Sequence, residues 1–341
     1  MKHAMRAAAR FAARSLVPLY AAGIALKNSL YDHDVLHAQR LTWPVVSIGN
    51  LSVGGTGKTP FVLELAQLLQ HHGWSVDVLS RGYGRSSTQV ERVSAEGSAQ
   101  RYGDEPLMMA RRGLDVYVGR RRYDAGRLAE EQRKAISPGR AVHLLDDGLQ
   151  HRELARTVDI ALLERRDLTD WLLPAGRLRE PRNTLRRVDI CVLREEDRDW
   201  IAPVMDAMQT QDAARIWFQQ RRTIAPVRLE RAIAFCGLGN AAQFFSSLRQ
   251  AGISPAAEVA FPDHHGYREG DIDALAKRAQ TCRADGFVTT EKDSMRLEGQ
   301  LLETLEAVAP VHVAKLAVAL QEPERCMRFL EALLDKPADV R

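Results

Sequence analysis

Short apolar runs alternate with helical or turn-rich segments along the chain from Trp43 onward. The first run is followed by a glycine-rich loop and then by a helical pattern from Pro60 to about His72. Short, continuously apolar runs separated in this way are typical of a mostly parallel sheet with helices on both faces. The pattern predicts an α/β fold, with strands at residues 45–48, 76–79, 142–145, 160–163 and 190–193.

A second α/β unit follows a polar, irregular stretch at residues 194–223. Three further strands are predicted at residues 232–235, 258–261 and 286–289, and two helices at residues 244–250 and 272–280. The predicted organisation is an N-terminal region (1–40), a main domain (41–225) and a second, smaller α/β domain (226–341), and this second boundary is defined to within about ten residues.

The first forty residues predict an amphipathic helix. Arg6, Arg10 and Arg14 repeat every four residues and share one helical face, and residues 15–26 are nearly free of charge. A secretory signal peptide has a similar outline, but the phosphate-binding pattern that follows points to the cytosol. The apolar run is also too short for a helix that spans the roughly 30 Å of a bilayer core. Either the helix packs on its own domain, or it lies in a membrane interface. The second interpretation places in the acyl boundary Leu16, Val17, Leu19, Tyr20 and Ile24.

Composition limits the classes of function. The chain is 45% hydrophobic and 27% charged, as in folded globular proteins, and its net charge of +4 excludes a strongly basic nucleic-acid binder. Four cysteines without metal-ligand spacing indicate a reducing compartment and no zinc site. Arginines are locally concentrated at residues 165–187 and at Arg120–Arg122, which suits an anionic ligand or an acidic membrane face.

The strongest chemical signal is a phosphate-binding loop between the first strand and the first helix of the main domain. Its Gly57, Lys58 and Thr59 match the end of the GxxxxGK[ST] pattern, whereas Ser52 replaces the first glycine. In such loops the backbone N–H groups surround the β-phosphate, the lysine pairs with phosphate oxygens and the hydroxyl binds Mg²⁺. The pattern predicts ATP and Mg²⁺ as cofactors, with nucleotide-binding residues Ser52, Val53, Gly54, Gly55, Thr56, Gly57, Lys58 and Thr59.

A pair of aspartates completes the predicted metal site. Asp146 and Asp147 end an apolar strand, as in a Walker B segment, and the carboxyl ends of parallel strands face the ligand crevice. One of them should bind Mg²⁺ directly or through water, and Asp147 is preferred.

Two other classes of nucleotide-binding protein fit less well. A GTPase needs an NKxD box, and residues 290–293 read TEKD. A partitioning ATPase carries a signature lysine where this chain has Val53.

A GxGxxA pattern at residues 237–242 lacks the acidic residue about twenty positions later that a dinucleotide site requires, so it favours a tight strand–helix turn.

Seven segments together resemble the tetraacyldisaccharide 4'-kinase family of lipid A biosynthesis, in which Ser52 is the usual residue. They extend in order over nearly the whole chain: GNLSVGGTGKTP at 49–60, SRGYGR at 80–85, GDEP at 103–106, LDDGLQHR at 145–152, PAGRLREP at 174–181, FPDH at 261–264 and TTEKD at 289–293.

The resemblance implies a monotopic protein on the cytoplasmic face of a Gram-negative inner membrane. It also implies an acylated glucosamine disaccharide 1-phosphate as the acceptor, phosphorylated at its 4'-hydroxyl, and no obligate protein partner. The alternatives are a partitioning-type or regulatory P-loop ATPase that acts through a protein partner, and a membrane-docked binding protein without catalysis.

The resemblance also implies residue roles. Asp104 matches the family's general base, although a bare GDEP sequence is more typical of a helix N-cap, and His264 matches the histidine that partners this base. Arg179 suits the charge of the transferring phosphoryl group, and Glu180 would bind the metal ion or orient that arginine. A loop near the substrate is matched by Arg81, Tyr83 and Arg85. A support for the metal site is matched by Gln150 and His151.

Overall fold

The computed structural model describes residues 2–54, 57–133, 140–225 and 229–335, with side chains from residue 13 onward. Within these ranges the strands are β1 (Val45–Asn50), β2 (Ser75–Ser80), β3 (Glu91–Arg92), β4 (Asp115–Val118), β5 (Ala141–Asp146), β6 (Val158–Leu162), β7 (Ile190–Arg194), β8 (Ile216–Ile224), β9 (Ala232–Cys236), β10 (Ala257–Ala260), β11 (Gly286–Thr290) and β12 (Val311–Leu320).

Helices flank these strands and begin with a long N-terminal segment. They are α1 (Lys2–Asp32), α2 (Lys58–His71), α3 (Ala99–Tyr102), α4 (Asp104–Arg111), α5 (Arg122–Gln132), α6 (Ile201–Met208), α7 (Ala241–Gln250), α8 (Glu269–Cys282), α9 (Glu291–Ser294), α10 (Gln300–Glu306) and α11 (Pro323–Leu334).

The strands form one sheet in the order β10-β9-β11-β12-β8-β7-β6-β1-β5-β2-β4-β3. Pairing is parallel except at the β3–β4 edge and between β8 and β12. Central strands such as β1 and β5 are buried along their whole length, because helices cover both faces. Ile48 pairs with Asp146, so the phosphate loop and the aspartate pair begin at the same edge of the sheet.

The predicted α/β fold is confirmed, and the predicted strands lie within one to two residues of those observed. The stretch at 194–223, predicted to be irregular, instead contains α6 and most of β8. The hydrophobic pattern does not predict β8, because only the first four residues of this strand are buried. The remaining side chains alternate between exposed and half-buried and are mostly polar.

Strand β12 joins the two halves of the sheet. Its first residues pair with β11, its later residues pair with β8, and the following helix α11 returns to the main core. There Cys326, Met327 and Leu330 are buried in the same cluster as Phe61 and Leu65 of α2. The domain division near residue 225 stays a prediction, and the chain after residue 311 contributes to both halves.

Candidate active site

The phosphate loop connects buried strand β1 to helix α2. Ser52 is fully buried, and Gly54 and Gly57 have positive φ angles of 118° and 75°, which glycine adopts without strain. Lys58 Nζ donates to Asn50 Oδ1 at 3.0 Å, and Asn50 Nδ2 donates to the Ser52 carbonyl at 2.7 Å. Two predicted nucleotide-binding residues, Gly55 and Thr56, lie outside the described residues.

A half-buried arginine that belongs to no motif lies against this loop. A Cβ atom at Gly57 would come within 2.9 Å of Arg221 Cζ, so only glycine fits here without displacing the guanidinium group. Burial lowers the pKa of Arg221 to about 10, a value that still leaves the side chain charged near neutral pH. Sequence analysis missed Arg221 because it belongs to the unpredicted strand β8.

Asp147 is held by two cations. Arg179 donates to both of its oxygens at 2.8 Å, and Lys58 Nζ lies 3.3 Å from Oδ1. Burial raises the pKa of the Asp147 carboxyl, but the hydrogen bond from Arg179 and the charge of Lys58 outweigh burial and hold this pKa well below its usual range. The predicted residues Lys58, Arg179 and Asp147 therefore form one cluster at the mouth of the phosphate loop.

Asp146 has a different environment although it is adjacent. Its Oδ2 accepts a long hydrogen bond of 3.4 Å from Ser80 Oγ, and its Oδ1 is buried without a hydrogen-bond partner among the described residues. Burial, followed by the charges of Glu105 and Asp147, raises the pKa of Asp146 to about 7. An unpartnered carboxylate oxygen of this kind is a ready ligand for a cation.

The donor set beside the loop fits Mg²⁺. Across the described ranges no three His, Cys, Asp or Glu side chains form a metal-binding group. Mg²⁺ in kinases, however, is bound by one or two carboxylates together with substrate phosphates. Thr59, in the first turn of α2, and Asp146 Oδ1 supply one hydroxyl and one unpartnered carboxylate oxygen. Glu180 is placed elsewhere, since its Oε2 accepts from Thr184 at 2.9 Å and from Arg187 at 3.1 Å.

Asp104 and His264 meet although 160 residues separate them. Asp104 is the first residue of α4, and the N-cap position belongs to Gly103, so the aspartate side chain does not cap the helix. His264 Nδ1 lies 3.4 Å from Asp104 Oδ2. Arg296 donates to both carboxylate oxygens, through Nε to Oδ1 at 3.0 Å and through Nη2 to Oδ2. Arg296 was not recognised in the sequence because no motif contains it.

The TTEKD segment brings these groups together. Asp293 is fully buried and accepts hydrogen bonds from Gly237 N at 2.9 Å and Tyr267 Oη at 3.0 Å. These bonds join the turn after β11 to the glycine-rich turn after β9, where a Cβ at Gly237 would lie 3.0 Å from Asp293 Oδ1. Lys292 then points towards α4, where its Nζ lies 3.2 Å from Glu105 Oε1.

The three residues predicted near the substrate differ in their contacts. The Tyr83 ring is largely exposed, and its centroid is 5.4 Å from that of His264. Arg85 Nη1 donates to the Gln89 carbonyl at 2.7 Å, so this arginine stabilises its own loop. Arg81 is exposed and lies close enough to Arg122 and His151 to lower the pKa of both groups, although burial lowers each of them more.

A basic pocket lies beside the aspartates. Arg122 begins α5, is only 7% exposed, and has a buried Nε without a hydrogen-bond partner among the described residues. Its Nη1 lies 3.5 Å from His151 Nδ1. Burial, followed by the charges of Arg122, Arg156, Lys27 and Arg81, lowers the pKa of His151 to about 3, so this histidine is neutral at physiological pH.

Helix α1 lies against the site along one face. Tyr20 Oη donates to the Arg179 carbonyl at 3.2 Å, and Lys27 Nζ donates to the Gln150 carbonyl at 2.9 Å. Leu16, Leu19 and Leu26 of the same helix are between 54% and 73% exposed. Of the apolar residues expected in the acyl boundary, Val17, Tyr20 and Ile24 are instead half-buried towards the protein.

Two further facts concern the exposed side of the helix. The Arg14 guanidinium lies 5.2 Å from the ring centroid of Trp171, which is itself 53% exposed. The side chains of Arg6 and Arg10 lie outside the described residues. Of the helices described, none combines the length and the apolar character needed to cross a bilayer.

Comparison with known proteins identifies the family. A family model described as tetraacyldisaccharide-1-P 4'-kinase matches residues 10–335. The tetraacyldisaccharide 4'-kinases of Koribacter versatilis and Aquifex aeolicus are 40% and 38% identical over 332 and 304 residues. These alignments cover 94% and 84% of this chain and 98% and 90% of the relatives.

A solved structure supports the same assignment. The crystal structure of LpxK from Aquifex aeolicus in complex with ATP superposes with a TM-score of 0.72 at 34% identity, and the match covers 94% of this chain and 99% of that one. The family model, the relatives and the fold agree over nearly the full length, and the chain belongs to the tetraacyldisaccharide-1-P 4'-kinase family, enzymes that phosphorylate a lipid disaccharide in lipid A biosynthesis.

Proposed function

We propose that this site transfers the γ-phosphate of ATP to the 4'-hydroxyl of a tetraacyldisaccharide 1-phosphate, with Asp104 as the proton acceptor. The convergence of Lys58, Arg179 and Asp147 at the phosphate loop, with Asp104 and Glu105 on the adjoining helix, carries the proposal. Lys58 and Arg179 supply positive charge where negative charge develops on the transferring group. Both cations pair with Asp147, which holds them at the mouth of the phosphate loop.

Asp104 suits a general base for geometric reasons. It lies at the N-terminus of α4, where the helix dipole favours an ionised carboxylate. Arg296 and His264 fix its orientation, which restricts the carboxylate to one pose. A positioned carboxylate that removes the hydroxyl proton as the oxygen attacks phosphorus contributes about 10²–10⁴-fold to the rate.

Mg²⁺ would be held by Thr59 and by one aspartate of the Asp146–Asp147 pair. The sequence favoured Asp147, but both of its oxygens already accept from Arg179, whereas Asp146 Oδ1 has no partner among the described residues. We therefore assign direct ligation to Asp146. The ion would neutralise charge on the β- and γ-phosphates. Glu180 belongs to the outer support of the site through its ion pair with Arg187.

The basic pocket provides a receptor for an anionic group of the acceptor. Arg122 is buried with an unpartnered Nε, and Arg81 stands nearby in solvent. A phosphate monoester satisfies guanidinium groups with two parallel hydrogen bonds. The 1-phosphate of the disaccharide is such a group, and neutral His151 can donate to it or accept from it.

The exposed side of α1 supports a location at a membrane surface. Leu16, Leu19 and Leu26 form an apolar stripe on the exposed side of this helix. A helix that is packed on one side and apolar on the other can rest in the interface. An acceptor with four acyl chains remains in the bilayer, so this location on the cytoplasmic face of the inner membrane, where ATP is available, brings the site to the substrate.

The test is phosphate transfer from labelled ATP to three acceptors: the tetraacyldisaccharide 1-phosphate, the same lipid without its 1-phosphate, and none. The first should be phosphorylated at the 4'-position, and the second should show a higher KM. Arg122→Ala should raise KM for the first lipid and remove the difference between the two, whereas the exposed Arg127→Ala should change neither. ATP hydrolysis that does not depend on the lipid would instead identify a regulatory ATPase.

A further inference from the structure

Two cations from the second half of the sheet bracket the Asp104–His264 pair. Lys292 Nζ lies 3.1 Å from His264 Nε2, and Arg296 Nη2 lies 3.0 Å from His264 Nδ1. Ammonium and guanidinium groups are donors only, whereas a neutral imidazole has one donor and one acceptor nitrogen. Both ring nitrogens therefore face donors, and the surrounding groups determine which nitrogen carries the hydrogen.

The hydrogen bonds favour one tautomer. With hydrogen on Nδ1, His264 donates to Asp104 Oδ2 at 3.4 Å and its Nε2 accepts from Lys292 at 3.1 Å. With hydrogen on Nε2, that N–H would face the ammonium group of Lys292, and the nearest carboxylate on that side, Asp263 Oδ1, is 4.0 Å away. The Nδ1 lone pair would also face the Asp104 carboxylate. The first arrangement alone gives the ring N–H a carboxylate acceptor and satisfies both Lys292 and Asp104. Arg296 Nη2, 3.0 Å from Nδ1, then keeps Asp104 Oδ2 as its acceptor.

Arg296 acts on the other member of the pair. It occupies one lone-pair direction on each oxygen of Asp104, and its Nη1 also donates to the His265 carbonyl at 3.3 Å. A carboxylate has about four lone-pair directions. Within the described ranges, Arg296 and His264 occupy three of them and leave one on Oδ1.

These contacts are built into the fold. The turn that carries Lys292 and Arg296 is held by buried Asp293, which accepts from Thr290 Oγ1 at 2.6 Å as well as from Gly237 and Tyr267. Glu105, beside Asp104 on α4, accepts from Lys292 at 3.2 Å and keeps the ammonium group at the imidazole. The groups that position Lys292 and Arg296 therefore differ from Asp104 and His264, the two side chains on which these cations act.

We propose that Lys292 and Arg296 are positioning residues: Lys292 keeps the hydrogen of the His264 ring on Nδ1, and Arg296 holds Asp104 so that Oδ1 receives the proton of the acceptor hydroxyl. His264 then orients the base through its N–H and takes no proton itself. The assignment of Oδ1 rests on the proposed role of Asp104 as the general base, whereas the tautomer of His264 is a property of the resting protein.

The tautomer can be measured without turnover. The full-length protein labelled with ¹⁵N at its ten histidines would be studied by NMR, with His264 assigned by the signals that His264→Gln removes. We expect a protonated Nδ1 and an unprotonated Nε2 in the wild type. Lys292→Met should shift hydrogen to Nε2, whereas Lys292→Gln, whose amide can still donate to Nε2, should preserve the wild-type pattern. An Nε2–H tautomer in the wild type, or an unchanged spectrum in Lys292→Met, overturns the assignment.

The role of Arg296 can be tested by comparing its substitution in the wild type with the same substitution in a variant that lacks the Asp104 carboxylate. Arg296→Gln should lower kcat about 10-fold to 100-fold, as expected for a misplaced catalytic group, and should leave KM for ATP unchanged. In an Asp104→Asn background the same substitution should cost nothing further, because the group that it positions is already lost. Arg249→Gln, an exposed arginine of the same half, is the matched control. Multiplicative losses in the double variant would overturn the role of Arg296.

The proposed kinase function and the positioning role of Lys292 can be refuted independently. A wild type that transfers no phosphate to the lipid disaccharide contradicts the proposed function but leaves the NMR result as a valid test of Lys292. Normal transfer together with an Nε2–H tautomer contradicts only the positioning role of Lys292. If Lys292→Met does not fold, as judged by circular dichroism, the wild-type tautomer and the Lys292→Gln spectrum still decide the question.

Discussion

The two ends of strand β5 carry charged groups that differ in how completely they are paired. At the amino end His143 is fully buried, its Nδ1 donates to Asp77 at 2.5 Å, and its Nε2 lies 3.6 Å from Glu130. Arg133 adds a second cation 3.5 Å from Asp77. At the carboxyl end Asp146 forms no ion pair among the described residues and has an unpartnered oxygen, and Asp147 is paired with the side chains of Lys58 and Arg179.

The difference separates a structural cluster from a functional one. Burial lowers the pKa of His143, but Asp77 and Glu130 outweigh it and raise that pKa to about 9, so the imidazole is charged and compensated. Glu130 also accepts from the backbone of Thr42 and Trp43 and ties the chain before β1 to α5. Each charge of the amino-end cluster has an opposite charge within 4 Å, whereas Asp146 forms no ion pair among the described residues and retains capacity for a metal ion.

The largest effect is expected at the ligand-facing end. Lys58→Ala should reduce phosphate transfer by about 10³-fold or more, because it removes the loop's charge from the transition state, and should leave the unfolding midpoint unchanged. The measurement is kcat/KM with the lipid acceptor, and Lys277→Ala on exposed α8 is the control. Activity near the wild-type level would refute the phosphate-loop assignment.

Asp104→Asn should lower kcat by about 10²–10⁴-fold through loss of the general base, with a much smaller change in ATP affinity. His264→Ala should impair the same step. If the two side chains act as a unit, the double variant is no slower than the slower single variant. Steady-state and single-turnover kinetics would separate this result from independent, multiplying losses.

His143→Gln should act on stability rather than on chemistry. Removing the cation leaves Asp77 and Glu130 buried without their shared partner, which typically costs about 3–5 kcal/mol. Urea unfolding would measure this loss, and His71→Gln at the exposed end of α2 should have little effect. A stable His143→Gln protein would show that Arg133 alone compensates the carboxylates.

The pH dependence of this stability has a defined sign. The pKa of His143 is about 9 in the folded protein against 6.5 for the unperturbed group, so its contribution is complete below about pH 6.5 and is lost as pH rises through about 9. The pKa difference corresponds to at most about 3 kcal/mol. The stability gap between wild type and His143→Gln, from urea unfolding at pH about 6 and about 10, should therefore narrow with rising pH.

The smallest effect concerns α1. Replacing Arg6, Arg10 and Arg14 with Glu should weaken binding to anionic vesicles by about 1 kcal/mol or more per residue. Binding that persists in high salt would report the Leu16–Leu19–Leu26 stripe, because salt screens charge but not apolar burial. Co-sedimentation is the measurement, and its control carries three exposed arginines changed to Glu elsewhere, Arg127, Arg249 and Arg325. Equal binding by both variants would mean that the helix serves only internal packing.

Sequence patterns predicted the parts of this molecule that are local. The strands around the phosphate loop are short and apolar. The sequence patterns that contain Lys58, Thr59, Asp146 and Asp147 are those that phosphate and Mg²⁺ binding require. Residues that act across long separations were not predictable. Arg296 reaches Asp104 over 192 positions, and Arg221 reaches Gly57 from a strand whose second half reads as polar. Isolated arginines have no spacing that reveals a partner.

The path of strand β12 has a consequence for synthesis. The main core is missing one of its strands and the helix that covers α2 until residues 311–335 have been added. The whole β9–β11 segment is therefore made before the nucleotide-binding half can close around its last buried side chains, Met327, Leu330 and Leu334. Because a growing chain folds from its N-terminal part as it is made, the protein must pass through a stage in which the phosphate loop exists beside an incomplete core. Ribosome-bound chains that stop before residue 311 should accordingly be sensitive to proteases within α2.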